Sequence, residues 1–573
     1  MGTISDKLMR IINTKEDIRQ ALISKGYDVP TSIPFKEYAK MISDLPCRVD
    51  SFPDIEGIVA RYSALGLTNE QMAANPVWVD KTGNGHDLQM KNFAWKEGSG
   101  ISDVYLGALV FDGVDDYGVC DNFPVLTKEK GYTVVALRQY LFNATDKIMS
   151  LVTNAPSSIV SRSTLTFELI GSTGKKINFS FGKGNLVSDF EPNVFSYMTS
   201  RSYNGKTITP GDVTESNERI LVGNFSENGE YGSNVAIWEL VFLDHDATEE
   251  ELTKIKDYFV KTYPWLFPYQ VWTVTGKTNE DEDRATIANI TGNGNDLVLS
   301  NFGFAEGSGY GLYAYNFNSF NLRDNVVKPT DVKKDSFRII GTGNSGNVLV
   351  LSNTSNSAAW KIRITGMKEG DSCIVGNANK SGEYIIVTKD GTYTFQKQYV
   401  ATSTNGIWYN SSQEVDVLVE QIPEYEGYLV TDGVDDKVVS KQFKFGENFT
   451  VILDFKFPVK KISYCGFDLS SKVRIQNLQG SGVYVVLKGN RTLIPSNVVR
   501  AVTSEGKVYD ENWNEYNIVP GNISSNYTMV NLGFDGSNQF AESATKLAGI
   551  YSSTLSKDEC IKAYNYLQTL KSK

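Results

Sequence analysis

The feature that most limits how this chain can fold is an internal repeat. The run Asp80-Lys-Thr-Gly-Asn-Gly-His-Asp-Leu88, followed by Asn92-Phe93 and Glu97-Gly-Ser-Gly100, returns as Asn289-Ile-Thr-Gly-Asn-Gly-Asn-Asp-Leu297, Asn301-Phe302 and Glu306-Gly-Ser-Gly309. Thr82 thereby matches Thr291, an offset of 209 residues. A second marker, Leu109-Val-Phe-Asp-Gly-Val-Asp-Asp116, returns as Leu429-Val-Thr-Asp-Gly-Val-Asp-Asp436 at an offset of 320, so the later copy carries 111 more residues between the two markers. Ile220-Leu-Val-Gly223 matches Val530-Asn-Leu-Gly533, and Thr248–Tyr258 matches Ser556–Tyr566, in the same order. Two copies of one domain, the second split by an insertion, account for this order.

Within each copy, short apolar runs alternate with Gly, Asn and Asp turns. Aromatic residues reach 12% and glycines number 49, a mixture that suits many short strands and tight turns better than a helical bundle. The insertion, about Val326–Pro423, has a β texture of its own: Trp360, Ile362 and Ile364 alternate, as do Val415, Val417 and Val419, which predicts a small β-sandwich set into a loop of its host. One amphipathic helix closes each copy, Thr248–Tyr263 and Ser556–Leu570. Residues 1–46 differ: Leu8, Ile11, Ile18 and Leu22 form a helical apolar stripe, and a second helix fits Phe35–Leu45 before Pro46. Two such helices expose more apolar surface than they can bury alone, so this segment is expected to attach to a partner protein or to copies of itself. The predicted layout is a helical attachment segment at 1–46, a first sandwich at 49–269, a second at 270–325 plus 424–573, and an inserted sandwich at 326–423.

Charge narrows the partners. With 56 Lys+Arg against 67 Asp+Glu the net charge is −11, which disfavours the basic face that nucleic-acid binding needs. No run of about 18 apolar residues is present, so no membrane insertion is expected, and the N-terminus lacks the apolar core of an export signal. Cys47, Cys120, Cys373, Cys465 and Cys560 are odd in number and widely spaced, which suggests neither a disulfide framework nor a thiolate zinc site.

Four motifs carry candidate chemistry. Asp112, Asp115 and Asp116, repeated as Asp432, Asp435 and Asp436, cluster carboxylates on one turn and are candidate ligands for a hard cation such as calcium; the competing reading is a plain Asp-Gly hairpin. Gly341-Thr-Gly-Asn-Ser-Gly346 has dinucleotide-fingerprint spacing, but a strand and not a helix follows it, so it reads as a hairpin turn and no cofactor is expected. Glu414, Asp416 and Glu420 share one face of a strand and resemble the carboxylate strand of laminarinase-like glycosidases, yet the last glutamate is displaced by about 13 Å, so a polar strand face is preferred and no enzymatic activity is expected. His86 lies in the Gly-rich turn and His245 lies between Asp244 and Asp246; both read as turn residues.

The Asp80–Leu88 turn, the Leu109–Asp116 segment, the strand ending at Gly223 and the helix after Asp246 resemble the laminin-G or concanavalin-like lectin domain, in both copies. The implied fold is mainly β: two concanavalin-like jelly-roll sandwiches, the second interrupted by a small sandwich, after a short helical segment. The stretch Lys7–Ile23 with Phe35–Lys40, and the run Glu420–Asp436, resemble virion fibre and decoration proteins of tailed phages of gut Bacteroidales, the crAss-like group included. That resemblance implies a head or tail fibre or decoration protein at the virion surface, made in the host cytoplasm. It would be held to capsid or tail proteins by its N-terminus and assembled as a dimer or trimer. Contact with glycans is implied too, and a polysaccharide depolymerase or a bacterial surface adhesin are the alternatives. Sugar sites join an aromatic platform to polar turn residues, so Asp80, Asn84, His86 and Asp87 beside Trp95 form the expected carbohydrate site; Asn295 and Phe304 replace His86 and Trp95 in the second copy.

Overall fold

The computed structural model describes Lys15, Glu16, Ile18 and Arg19, and residues 52–572 apart from 142–148, 155–163, 171–174, 189–193, 226–231, 305–307, 312–320, 323–326, 334, 343–345, 351–359, 378–383, 396–404, 411–413, 423–424, 458–462, 471, 478–482, 497, 524, 526 and 535–539. Leu8, Ile11 and Leu22 of the expected attachment stripe, and the second N-terminal helix, lie outside the described residues. Ile18 is helical and half-buried, next to an Arg19–Glu16 ion pair of 2.6 Å.

Four eight-stranded antiparallel sheets form two sandwiches. In the first, one sheet runs Lys206–Thr207, Ser202–Tyr203, Phe195–Thr199, Thr133–Tyr140, Asn234–Leu243, Leu109–Asp112 and Gly100–Ile101, with Ile58–Ser63 added on Asn234–Leu243. The facing sheet runs from Lys183–Ser188 through Leu165–Ile170, Ile220–Val222 and Tyr117–Cys120 to Leu88–Lys91 and Val77–Trp78. The second sandwich repeats both orders strand for strand, with Thr450–Lys456, Glu542–Tyr551 and Leu429–Asp432 at the centre of its first sheet and Gln270–Thr273 added on Glu542–Tyr551. The twin concanavalin-like architecture expected from the repeat is therefore the architecture observed.

Burial patterns explain the layering. Thr133–Tyr140 and Asn234–Leu243 are buried along almost their whole length, because one face meets the core of the sandwich and the other meets a helix. In the facing sheets Leu88–Lys91 and Leu297–Ser300 keep the two-residue alternation of a half-exposed sheet, whereas Leu165–Ile170 and Ile220–Val222 are buried throughout. A short helix, α1 (Asn69–Ala74), sits at the end of the first sandwich behind a capping box on Thr68 and Gln71. The long helices α2 (Glu249–Thr262) and α3 (Lys557–Gln568) start at Thr248 and Ser556, each with a reciprocal capping box to a glutamate three residues on, Glu251 and Glu559. Leu252, Ile255 and Phe259 of α2 and Ala563 and Leu567 of α3 join Trp238, Leu547 and Tyr551 in one apolar layer that spans both sandwiches. Tyr551 Oη donates to Trp265 O at 2.9 Å and Gln139 Nε2 donates to Thr569 Oγ1 at 3.1 Å across this layer.

The insertion is itself a sandwich of two five-stranded sheets around Phe337, Ile339, Ile362, Ile364, Val417 and Val419. Asn321 and Leu322, which precede the expected boundary at Val326, pair with Val350 and Leu349 and so belong to it. Two expected hairpins are corrected by the pairing. Ser336–Thr342 and Gly346–Val350, which flank the Gly341–Gly346 motif, belong to opposite sheets and do not pair with each other. Leu109–Asp112 and Tyr117–Cys120 likewise lie in opposite sheets, so Asp-Gly-Val-Asp-Asp is an arch that crosses the sandwich, in both copies. Turn residues alone do not tell an arch from a hairpin, because both need the chain to reverse and only partner strands settle which sheet it enters.

The buried cores of the second sandwich and of the insertion share no residue. Replacing Asn321–Ile422 by a short linker is therefore expected to leave a chain that still melts cooperatively. Loss of a cooperative transition in calorimetry would refute this separation.

Candidate functional site

The Gly-rich turn is built around one carboxylate. Asp80 is 4% exposed, and its oxygens accept from the amide of Arg61 at 3.0 Å, the amide of Thr82 at 3.0 Å and the hydroxyl of Thr82 at 2.7 Å. Asp87 accepts from the Asp80 amide at 2.8 Å, and Asn84 Nδ2 donates to Val59 O at 3.0 Å. The second copy repeats these bonds with an uncharged acceptor: Asn289 Oδ1 accepts from the Thr291 amide at 3.0 Å, and Asn293 Nδ2 donates to Tyr269 O at 2.7 Å. Even the aromatic clasp persists in altered form, since Tyr62 Oη donates to His86 O at 2.5 Å where Trp272 Nε1 donates to Asn295 O at 2.7 Å. These polar side chains close the turn onto the adjoining strand.

The arch works in the same way. Asp116 is 1% exposed and accepts from the Asp112 amide at 2.9 Å and from Ser99 Oγ at 3.1 Å; Asp112 accepts from the Val114 amide at 2.7 Å. Asp436 and Asp432 make the matching bonds, with Ser308 Oγ at 2.8 Å. Asp112, Asp115 and Asp116 each offer an oxygen within 4.8 Å of the others, as do Asp432, Asp435 and Asp436, so the three carboxylates expected together are together. Their arrangement is also what the arch needs: Gly113 has φ +77 and a Cβ there would lie 2.8 Å from the Asn234 Cβ. Burial pushes the Asp116 carboxyl up to about 7, against hydrogen bonds from Ser99 and Asp112 that favour its ionised form, and pushes Asp436 up to about 6.

The expected carbohydrate site does not assemble as one surface. Asp80, Asn84, His86 and Asp87 precede the strand Leu88–Lys91, whereas Trp95 and the arch follow it, which separates the two groups by roughly 13 Å of extended chain. Asn122, which donates to Gly85 O at 3.2 Å, belongs to the first end; Asn92, which donates to Asp115 O at 2.9 Å, belongs to the other. Trp95 is half-buried and stacked on Phe93 with centroids 4.8 Å apart, and Phe93 meets Phe111 edge-on, so the indole packs against the core of the sandwich. Glu414, Asp416 and Glu420 do share a strand face, where Asp416 pairs with Arg338 at 2.7 Å and Glu420 with Arg363 at 3.9 Å. His245 lies between Asp244 and Glu251 at 3.4 and 3.2 Å.

Two groups of charged residues are invisible in the sequence because their partners are distant along the chain. Between α2 and the first sandwich, Glu239 is fully buried and holds Arg61 at 3.0 Å and Tyr263 Oη at 2.8 Å. Inside the first sandwich, Glu168 sits at φ +58 and grips Arg138 Nε at 2.7 Å, Tyr203 Oη at 2.8 Å and Tyr140 Oη at 2.9 Å, with Lys176 at 3.7 Å. Burial alone would raise the Glu168 pKa, but Arg138 and Lys176 hold its carboxyl well below the usual range. The matching strands of the second sandwich bury Phe455, Val483 and Val485 instead.

A concavity with a volume of about 490 Å³ lies at the junction of the two sandwiches. Phe195, Tyr197 and Asn204 line it from the first sandwich and Lys256 from α2; Ile290, Thr291 and Asn293 of the second Gly-rich turn and Tyr566 of α3 face them. Phe267 and Pro268 of the connecting segment form part of its lining. Tyr197 and Phe195 are visible in the sequence only as alternate residues of one strand, and nothing local indicates that a second domain stands opposite them.

No protein-family model matches this sequence, and no curated protein matches it. Among solved structures, Trypanosoma rangeli sialidase in complex with the inhibitor DANA aligns over 44% of this chain and 38% of its own at 12% identity, with a TM-score of 0.26. The receptor binding domain of the botulinum neurotoxin C/D mosaic serotype aligns over 70% of this chain and 89% of its own at 10% identity, also with a TM-score of 0.26. The chain thus spans well under half the length of the sialidase, and the twin-sandwich architecture is read from its own sheets.

Two outcomes follow from these electrostatics. A carboxyl whose folded pKa is raised stabilises the fold fully below its unfolded value near 3.8 and loses that contribution as pH rises through the folded value, so Asp116 and Asp436 make stability fall between about pH 4 and 7. Melting curves of the Asp116→Asn, Asp436→Asn double variant should show a flatter pH dependence across that window than the parent. Glu168→Gln should cost roughly 3–5 kcal/mol in denaturant titration, since it removes the carboxylate that compensates a buried guanidinium.

Proposed function

We propose that this chain is a virion appendage protein, a head or tail fibre or decoration protein of a tailed phage. In this reading the N-terminal segment attaches it to capsid or tail proteins, the chain assembles as a dimer or trimer, and its lectin-like sandwiches meet glycans at the virion surface. The observation that carries the reading is the single apolar layer shared by the two sandwiches, which joins the repeated domains into one stiff unit downstream of the N-terminal stretch. A rigid array of β domains suits projection and repeated weak contact, because linked sites raise effective concentration without new contacts.

Deleting Met1–Pro46 is expected to leave a folded chain that no longer joins the particle, as judged by immunogold labelling and sedimentation of purified virions. Normal incorporation of the truncated chain would place attachment elsewhere, and absence of the full chain from virions would refute the reading.

A further inference from the structure

The junction cleft combines three properties, with walls from both sandwiches. Its size of about 490 Å³ is within the range of about 300–1,000 Å³ typical of small-ligand sites, enough for roughly one or two sugar rings. Phe195 and Tyr197 project from alternate positions of one strand and are half-buried, so their rings offer apolar surface at the rim while remaining fixed by packing. Polar groups stand around these rings with hydrogen-bonding capacity to spare. Asn204 uses its Oδ1 to accept from the Tyr197 amide, which leaves its amide hydrogens. Asn293 spends one amide hydrogen on Tyr269 O and keeps its Oδ1. Lys256 is the charged residue lining the cleft; its Nζ stands 5.8 Å from the Phe195 ring centroid, and among the described residues no carboxylate lies within ion-pair distance of it.

Aromatic surface flanked by amide donors and acceptors suits the faces and hydroxyls of a sugar, and an ammonium without a carboxylate partner suits a negative charge on it. We propose that the cleft between the sandwiches binds a mono- or disaccharide unit that carries a carboxylate, with Tyr197 and Phe195 against the ring, Asn204 and Asn293 on its hydroxyls and Lys256 on its acid group. This assignment rests on the glycan-contacting reading above and locates that contact at the junction instead of at the Gly-rich turn of the first copy.

The test is an array of carboxylate-bearing mono- and disaccharides and their neutral counterparts, including digalacturonic acid and digalactose, probed with the full chain and followed by calorimetric titration of the hits. The acidic sugars should bind more tightly than the neutral ones. Lys256→Glu, an exposed position on α2, should weaken acidic binding by about tenfold or more, the worth of one charge-assisted hydrogen bond, and leave neutral binding nearly unchanged. Tyr197→Ser should weaken both classes while the melting temperature confirms that the sandwich is intact. Acidic sugars bound with unaltered affinity by both variants would overturn the cleft assignment and leave the glycan-contacting reading standing. Failure of the full chain to bind any sugar on the array would overturn both.

Discussion

In each sandwich one sheet is apolar on both faces, and the rest of the architecture depends on covering the second face. Asn234–Leu243 and Glu542–Tyr551 have almost no exposed residue, although each belongs to a two-layer sandwich that by itself covers one side only. A helix after the last strand supplies part of the missing cover through the buried residues of its amphipathic face. The remainder is supplied by the other sandwich, so Trp238 of the first and Tyr551 of the second belong to the same apolar layer. Burying a large apolar side chain is worth about 1.5–3 kcal/mol relative to exposure, so a layer with several such side chains from each copy favours one body over two tethered ones.

Two paired polar clusters at this layer orient the helices. Arg61 and Glu239 lie on neighbouring strands, and Tyr258 of α2 and Tyr263 just beyond it reach the same carboxylate. In the second sandwich a different set of residues orients the helix. There Asp454 takes Tyr428 Oη at 2.9 Å and Gln568 Nε2 at 3.0 Å, with Arg500 beside it. Such locks add direction to a contact that apolar burial alone leaves free to slide. The core of the first sandwich shows the opposite choice, since Arg138, Glu168 and Lys176 occupy a region that the second copy fills with apolar side chains. A fold that tolerates both fillings does not owe its stability to the ionic one.

The sequence made the repetition, the strand-rich class, the two closing helices and their capping residues legible, because each follows from local pattern: period-2 alternation, a threonine or serine three residues before a glutamate, and a glycine where a strand must end. Gly223 shows how local such a signal is. Its φ is +82 and a Cβ would lie 2.1 Å from Phe111, so no other residue fits, and Gly533 is placed alike against Thr431. What the pattern left unread was pairing. Asp112–Asp116 reads as a hairpin until the strands on either side are seen in different sheets, and Asp80 and Trp95 read as neighbours until the strand between them is seen to be straight. The junction cleft was illegible for the same reason on a larger scale: Tyr197 and Asn293 are 96 positions apart and in different copies.

A duplicated domain separates the residues that serve the fold from those free to serve something else. Asn84 and Asn293 occupy equivalent positions and make equivalent bonds, each donating its side-chain amide to a carbonyl of the adjoining strand. That bond closes the turn in both copies, which is reason enough for the residue. Their surroundings differ, because Asn293 lines the cleft opposite Phe195 and Tyr197 and Asn84 does not. The same turn bond is thus scaffold in one place and part of the cleft wall in the other, although Asn289 and Asn295 replace Asp80 and His86 around it. A motif shared by both copies therefore identifies what the sandwich requires, and a binding surface is better sought where the two copies, placed side by side, present non-equivalent positions to one another.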